Sequence, residues 1–487
     1  MKEIVYQVWP FIQEWYWIPL FILYLGLIST ILIENRNPTK TIAWVLVIVF
    51  LPFVGIALYY LFGQKFKKEK KLKKSSQIQL KKNAAAIQRL APKINASLNQ
   101  LREDIGDLSR VYAYLRNEQI CIPSLSNDVQ LMLNGEQKFE YMLKALENAE
   151  HSIHLEYYIF DLDQIGKKVI SVLEQKAKEG VKVRLLIDAF GSSDVVKYLK
   201  KSATNIEYEV FLPVTFTQLA NSNYRNHRKI CVVDGRTAFV GGINISDRYI
   251  NPYADGMYWR DTAVRIEGES VTLLQVHFWT LWNQAGGADF ALDERVIQPP
   301  KSDVGHAAVS FAVSDPGSDA PYNMEALLIA IGSAKESIQL CTPYYIPSEE
   351  LETALMMAAA SGVRVELMVP ASGDSWIVQH ASFSFLKPLL QRGIHVYLYE
   401  KGFLHAKTVC IDGTLSFIGT VNLDIRSFYI NYEIAAVIAD REMGKQMNAQ
   451  YEKDKAGGRL LSLADWAARP RWKKGVDSIC RLLAPLL

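Results

Sequence analysis

At 487 residues the chain is longer than one ordinary core organises, and at roughly 100–200 residues per domain it is expected to hold two or three structural units. Hydrophobic residues make up 49% and charged ones 22%, the composition of a folded protein with an apolar excess, most of it near the start. Residues 1–82 carry twelve Lys or Arg against four Glu, net +8, while the remainder holds 42 against 47, net −5. That mildly acidic body lacks the basic surface with which nonspecific nucleases hold phosphate backbones, so no nucleic acid partner is expected and anionic lipid near the basic segment is.

From Trp15 to Ile33, and again from Thr41 to Phe62, the chain is almost wholly apolar, each run near the ~20 residues that cross a bilayer. The spacing predicts a transmembrane helical hairpin over 1–63, turning at Glu34–Lys40, with Trp15, Trp17, Trp44, Tyr59 and Tyr60 as interfacial aromatics. A signal peptide would have a shorter apolar core and a small-residue cleavage site, so the anchor is expected to be retained. Lys65, Lys67, Lys68, Lys70, Lys71, Lys73 and Lys74 follow, opposed by Glu69 alone. By the positive-inside rule the chain is expected to be a multi-pass protein of the cell (inner, cytoplasmic) membrane with its body and its N-terminus on the cytoplasmic side.

A basic polar connector is expected over 64–124. Beyond it, strand-like apolar runs alternate with helical stretches in an α/β pattern, and the pattern repeats. Ala149–Leu155, Tyr157–Ile159 and Glu179–Asp188 are answered by Ala334–Leu340, Pro343–Ile346 and Ser361–Pro370. Each reads as a strand, a helix ended by Gly, and a second strand, a βαβ crossover. Two similar α/β lobes meeting as a pseudo-dimer are expected over 125–300 and 301–487. The five cysteines, Cys121, Cys231, Cys341, Cys410 and Cys480, are scattered singly with no zinc or redox spacing, and reduced thiols in a cytosolic compartment fit them.

A sharper motif lies further along both halves. His227-Arg228-Lys229 runs to Asp234-Gly235 and His405-Ala406-Lys407 to Asp412-Gly413, both His-x-Lys-x4-Asp-Gly. Gly241 and Gly419 stand fourteen past their histidines, Asn244 and Asn422 seventeen, Arg248 and Arg426 twenty-one. Residues two apart on a strand share a face, so two such strands across a pseudo-twofold are expected to put two His and two Lys into one pocket. That set suits a phosphodiester: Lys229 and Lys407 neutralise the nonbridging oxygens, and Asn244 and Asn422 donate further hydrogen bonds to them. One imidazole attacks phosphorus to give a phosphohistidine, and the other protonates the leaving alcohol and later deprotonates the acceptor. Histidine reaches both states near neutrality. Asp261 and Glu433 are the expected orienting acids for the ring nitrogens that face away from phosphorus. Asp234 and Asp412, five residues beyond their lysines, are expected to bond backbone at the Gly turn as structural members of the motif.

These paired residues resemble the HKD signature of the phospholipase D superfamily, over roughly residues 125 to 487. Arg225-Asn226-His227-Arg228-Lys229, Gly241-Gly242-Ile243-Asn244, Gly402-Phe403-Leu404-His405-Ala406-Lys407-Thr408 and Gly419-Thr420-Val421-Asn422-Leu423-Asp424 are similar to the bacterial cardiolipin synthase branch. So are the N-terminal hairpin with Ala43-Trp44 and Pro52, and the C-terminal Arg469-Pro470-Arg471-Trp472 and Leu482–Leu487. The resemblance implies two α/β lobes around one shared site, no metal and no other cofactor. It also implies condensation of two phosphatidylglycerol molecules into cardiolipin with release of glycerol, His227 acting as nucleophile and His405 as acid/base. Many members of the superfamily carry Ser after the motif Gly; here Gly242 and Thr420 stand there, so a hydroxyl contact is expected only in the second half.

The motif alone also fits a membrane-bound hydrolase in which water resolves the phosphohistidine, on phospholipid or on DNA, and a catalytically dead scaffold for anionic lipid. Intact residues in both halves argue against the scaffold. The sequence fixes neither phosphatidylglycerol over phosphatidylethanolamine as donor nor the oligomeric state, and an oligomer is compatible with it. The last helix-like stretch, with Trp466, Trp472, Ile479, Leu482 and Leu483 among Arg and Lys, is expected to pack against the domain, with membrane contact as the alternative.

Overall fold

The computed structural model describes residues 15, 17–33, 38–59, 94–119, 123–202, 204–211, 223–252, 256–288 and 304–484. The tip of the expected hairpin turn, the lysine cluster 65–74, Tyr60, Cys121 and residues 485–487 lie outside them. The chain divides into two compact units, Met1–Leu72 and Lys73–Leu487.

In the first unit the apolar runs form helices Trp17–Ile33, Pro38–Phe50 and Pro52–Leu58. The second run is not one continuous helix. Pro52 has no N–H to donate and opens a new helix, while Leu51 leaves helical geometry at φ −125 and ψ 70. The first helix has 17 residues, about 25 Å at 1.5 Å per residue, and among the described residues no helix is long and apolar enough to cross a membrane. Ile31, Ile48 and Tyr59 form a small buried cluster, whereas Phe21, Ile22, Leu32, Ile33, Phe50 and Phe53 face outward.

The second unit contains both sheets. The first has seven strands in the order Asn127–Leu133, Thr262–Gly268, Thr237–Gly241, Lys229–Val233, Ser152–Tyr157, Lys182–Asp188, Glu207–Phe211. The second repeats that order as Ala308–Ser314, Glu433–Ala439, Leu415–Gly419, Thr408–Ile411, Ser337–Cys341, Arg364–Pro370, His395–Tyr399, and adds Gly458–Leu461 as an antiparallel edge. Each lobe has two βαβ crossovers at matching places, the first through helices Gln164–Lys178 and Glu349–Ala360, the second through Ser193–Lys201 and through Trp376–Ser384 with Leu386–Gln391. The chain turns back into the sheet through Gly180 and Gly362, both at φ 94, where a side chain would be strained.

Strand alternation assigns each side chain to a layer. Ile230 and Val232 face the other lobe, where they meet Val309, Phe311, Ile418 and Ile434, while Cys231 and Val233 face the helices of their own lobe. Both faces of the strands are thus covered, which is why they read as unbroken apolar runs. Burying each such side chain contributes ~1.5–3 kcal/mol relative to exposure, so the shared layer joins the lobes strongly. Four cysteines, Cys231, Cys341, Cys410 and Cys480, are buried and free.

The expected connector is not all linker. Its end forms helices Ile94–Ile105 and Arg110–Gln119, and Leu101, Leu108, Val111, Tyr112 and Leu115 are buried against the second lobe. The Tyr112 hydroxyl lies 3.1 Å from the Ala308 carbonyl and 3.2 Å from that of Val437, a bridge to the two adjacent strands at the sheet edge. Apolar residues at spacings of three, four and seven carry this packing despite the polar composition around them.

Candidate active site

The backbone just before each motif histidine pairs with the backbone just before an acid in the opposite lobe. Phe403 and Leu404 lie parallel to Trp259 and Arg260, so the next residues, His405 and Asp261, stand opposite each other. Asn226 bridges Tyr432 in the same sense, so His227 stands opposite Glu433. The N–H groups of both histidines donate across the boundary, His227 to the Tyr432 carbonyl at 3.0 Å and His405 to that of Arg260 at 2.7 Å. Those bonds fix the rings: Nδ1 of His227 lies 2.9 Å from Glu433 Oε1, and Nδ1 of His405 lies 2.6 Å from Asp261 Oδ2. Both acids are fully buried.

With Nδ1 of each ring held on a carboxylate, Nε2 is left for substrate. Both rings line one cavity of about 510 Å³ between the lobes, together with Asn244 and Asn422. Lys229 and Lys407 are buried beside it, and each Nζ donates to the carbonyl of its own histidine. Burial pushes the Lys229 ammonium down to about 7 and Lys407 down to about 8. Burial likewise lowers His227, against the pull of Glu433, and takes His405 down to about 3 with Lys407 adding to the effect. Burial alone would raise Glu433, but His227 and Lys229 beside it bring it below the usual carboxylate range. Burial therefore favours two neutral imidazoles and makes the two lysine cations costly unless an anion joins them.

Asn244 is buried and already engaged: its Oδ1 accepts from Ile159 N at 3.2 Å and its Nδ2 donates to the Tyr249 hydroxyl at 2.7 Å. Asn422 is buried with no hydrogen-bond partner for its Oδ1. Asp234 and Asp412 lie away from the cavity. Asp234 accepts from the backbone N–H groups of Glu150, His151 and Ser152 at 2.8–2.9 Å, and Asp412 from those of Lys335, Glu336 and Ser337 at 2.8–2.9 Å. Both sit at φ 52 and pin the loop that opens the neighbouring strand, a wider role than closing their own Gly turn.

The position after the motif Gly is resolved differently in the two lobes. Thr420 donates its hydroxyl to Glu433 and accepts from Ile434 N at 3.0 Å, so it touches the acid of His227. At Gly242 a Cβ would stand 2.3 Å from Asp261 Oδ1, so a hydroxyl-bearing side chain has no room there.

Sequence reasoning missed several members of the site. Tyr249, Trp259 and Phe403 surround the His405 ring at centroid distances of 5.6–5.7 Å, and Tyr158 stands edge-on to His227 at 5.2 Å. Arg225, Arg248 and Arg426 also line the cavity. The shared offset of Arg248 and Arg426, and the place of Arg225 and Phe403 two residues before their histidines, were the available signals; Tyr158, Tyr249 and Trp259 come from segments outside the motif.

Residues 142–282 and 327–455 match the family described as cardiolipin synthase, phospholipase D-like domain, and residues 22–64 match a phospholipase D-nuclease N-terminal family. The chain is 35% identical over 472 residues to a cardiolipin synthase of Alkalihalophilus pseudofirmus, covering 96% of this chain and 92% of that protein. It is 36% identical over 458 residues to one of Geobacillus thermodenitrificans, covering 93% and 90%. The crystal structure of a phosphatidylserine synthase from Haemophilus influenzae aligns with 78% of this chain and 100% of that one, at TM-score 0.58 and 15% identity, which speaks to the fold. Two lobes of that fold, a paired site built across them, and full-length identity of this order have one reading: the chain belongs to the cardiolipin synthase family with phospholipase D-like domains.

Proposed function

We propose that the chain is a membrane-bound phosphatidyltransferase that converts two phosphatidylglycerol molecules into cardiolipin and glycerol through a phosphohistidine. The observation that carries this reading is the pair of histidines in one cavity, each held at Nδ1 by a buried carboxylate of the other lobe. Nε2 of His227 attacks phosphorus, the bond from phosphorus to the glycerol oxygen breaks, and His405 delivers its proton to that oxygen. A hydroxyl of the second phosphatidylglycerol then gives its proton to His405 and attacks phosphorus, breaking the P–N bond. Lys229 and Lys407 hold the nonbridging oxygens, and the substrate's negative charge supports the proton on His405 that burial and Lys407 oppose.

One observation favours the reverse assignment: His405 is the ring more strongly held neutral, as a nucleophile requires. Mapping the acid-labile phosphoryl label after rapid quenching decides between the two rings. The reaction itself is tested with phosphatidylglycerol labelled in both phosphatidyl and glycerol parts. Cardiolipin plus glycerol is expected; phosphatidic acid as sole lipid product makes the chain a hydrolase. His227→Ala and His405→Ala are each expected to abolish turnover while leaving the fold intact.

The outward apolar side chains of the first unit support the proposal that 1–63 lies in the bilayer as a hairpin, with the body on the cytoplasmic side. Resistance of the full chain to alkaline extraction from membranes is expected, and its release would remove the anchor.

A further inference from the structure

Beside the cavity the structure presents an apolar surface that the proposed reaction does not use. Asp374 and Val378 line the cavity, and between them Trp376 and Ile377 begin the helix Trp376–Ser384 with 61% and 41% of their surface exposed. The C-terminal helix Arg471–Arg481 packs on this one. His380 Nδ1 lies 2.6 Å from Asp477 Oδ1, Arg469 pairs with the same carboxylate at 2.8 Å, and the Arg481 guanidinium stacks 4.3 Å from the Phe385 ring. His380 thus meets Asp477, and Phe385, further along, meets Arg481. Arg469 also stands 5.5 Å from the Phe383 ring, and the preceding helix Leu463–Ala468 meets Leu386–Gln391, so the two helices pack side by side along their length.

The C-terminal helix docks through Asp477 and Cys480, followed by Ala484, all buried. Its large apolar side chains point elsewhere. Trp472 is 64% exposed, Ile479 66%, Leu482 78% and Leu483 40%. Trp472 and Ile479 are seven residues apart, two turns on one stripe, so this face is not what packs the helix. Around it stand Arg471, Lys473, Lys474 and Arg481, and the one acid of the helix, Asp477, is buried and already paired. An exposed stripe with aromatic and aliphatic residues, on a helix whose own exposed charges are all cations, is the chemistry that inserts into an anionic lipid interface. A contact between copies of this chain would instead bring those cations together.

We propose that Trp472, Ile479, Leu482 and Leu483, with Trp376 and Ile377 at the cavity rim, form a docking surface for an anionic bilayer. It holds the mouth of the cavity against the leaflet from which the lipid substrate enters. The inference rests on the lipid-substrate reading above but concerns access to the site, not its chemistry.

The test uses the full chain in liposomes of phosphatidylglycerol whose acyl chains carry bromine. Comparison of the native chain with Trp472→Phe isolates the Trp472 emission, which is expected to be quenched. A double variant, Trp472→Ser with Ile479→Ser, is then assayed on phosphatidylglycerol vesicles and on short-chain phosphatidylglycerol below its micelle concentration. A loss of roughly tenfold or more is expected on vesicles, from the apolar area withdrawn, with an unchanged rate on the monomeric lipid. Unquenched Trp472 emission overturns the docking surface, as does a double variant with its full vesicle rate, or a native chain whose Trp472 is shielded by self-association in detergent. No activity of the native chain on either form of lipid would instead sink the enzymatic reading.

Discussion

Gly242→Ala tests whether the cross-lobe carboxylate sets the reactivity of His405. Gly242 is not among the residues with left-handed φ, so its backbone accepts alanine without strain and the cost is purely steric. The new Cβ would lie 2.3 Å from Asp261 Oδ1, 2.8 Å from Oδ2 and 2.9 Å from Cγ. To reach ordinary contact the carboxylate must retreat by about 1 Å. Asp261 cannot move as a whole: its N–H donates to Asn134 Oδ1 at 3.0 Å, its carbonyl accepts from Asn134 N at 2.9 Å, and its Oδ1 accepts from Thr262 N at 2.7 Å. The carboxylate must therefore rotate, and the 2.6 Å bond to His405 Nδ1 is the contact it gives up. A misplacement of about 1 Å in a catalytic group costs on the order of 100-fold, about 2.7 kcal/mol in barrier. We expect kcat for glycerol release from phosphatidylglycerol to fall by that factor. KM should change little and the melting temperature stay within a few degrees, because the lipid contacts and the inter-lobe layer are untouched. Thr420→Ala, which removes only one hydrogen bond from Glu433, should cost about tenfold or less. A folded Gly242→Ala enzyme with undiminished kcat would refute the dependence of His405 on Asp261.

Three further predictions follow from the same geometry. Lys229 and Lys407 act as cations, and with values of about 7 and 8 they lose their charge as pH rises through that range, so kcat/KM should fall there. Lys229→Arg stays charged and should carry the alkaline limb upward whatever it does to the plateau; an unmoved limb contradicts the assignment. His154 is fully buried against the Phe278 ring and is lowered to about 3, first by burial and then by Arg184. Its folded value lies below the unfolded 6.5, so its contribution to stability is whole above pH 6.5 and is lost as pH falls toward 3. The loss is up to ~1.4 kcal/mol per pH unit, and His154→Asn should flatten the fall in urea midpoint between pH 6.5 and 5. Asp234→Asn keeps the φ 52 conformation but exchanges one acceptor oxygen for a donor against three N–H groups. Stability should drop by about 2–3 kcal/mol with kcat of the folded enzyme unchanged; a lost kcat at full stability would place Asp234 in the chemistry.

The sequence alone determined what local periodicity and repetition encode. The registered His-x-Lys-x4-Asp-Gly copies, the βαβ units ended at Gly180 and Gly362, and the strand-like apolar runs are legible because each rests on spacings within a few dozen residues. Nothing local says which acid serves which histidine. His227 and Glu433 are 206 residues apart, His405 and Asp261 are 144, and the pairs exist because short parallel bridges set the opposing backbones in register. The same holds for Thr420 on Glu433, for the space that Gly242 leaves to Asp261, and for the aromatic wall around His405. Composition made the stretch 94–119 look like linker, because its few apolar residues matter only once the second lobe supplies their partners. Hydropathy read the second N-terminal run as one helix, because a window average does not register the hydrogen bond that Pro52 cannot make. Contacts across the fold depend on which surfaces meet, and that is fixed only when both lobes are formed.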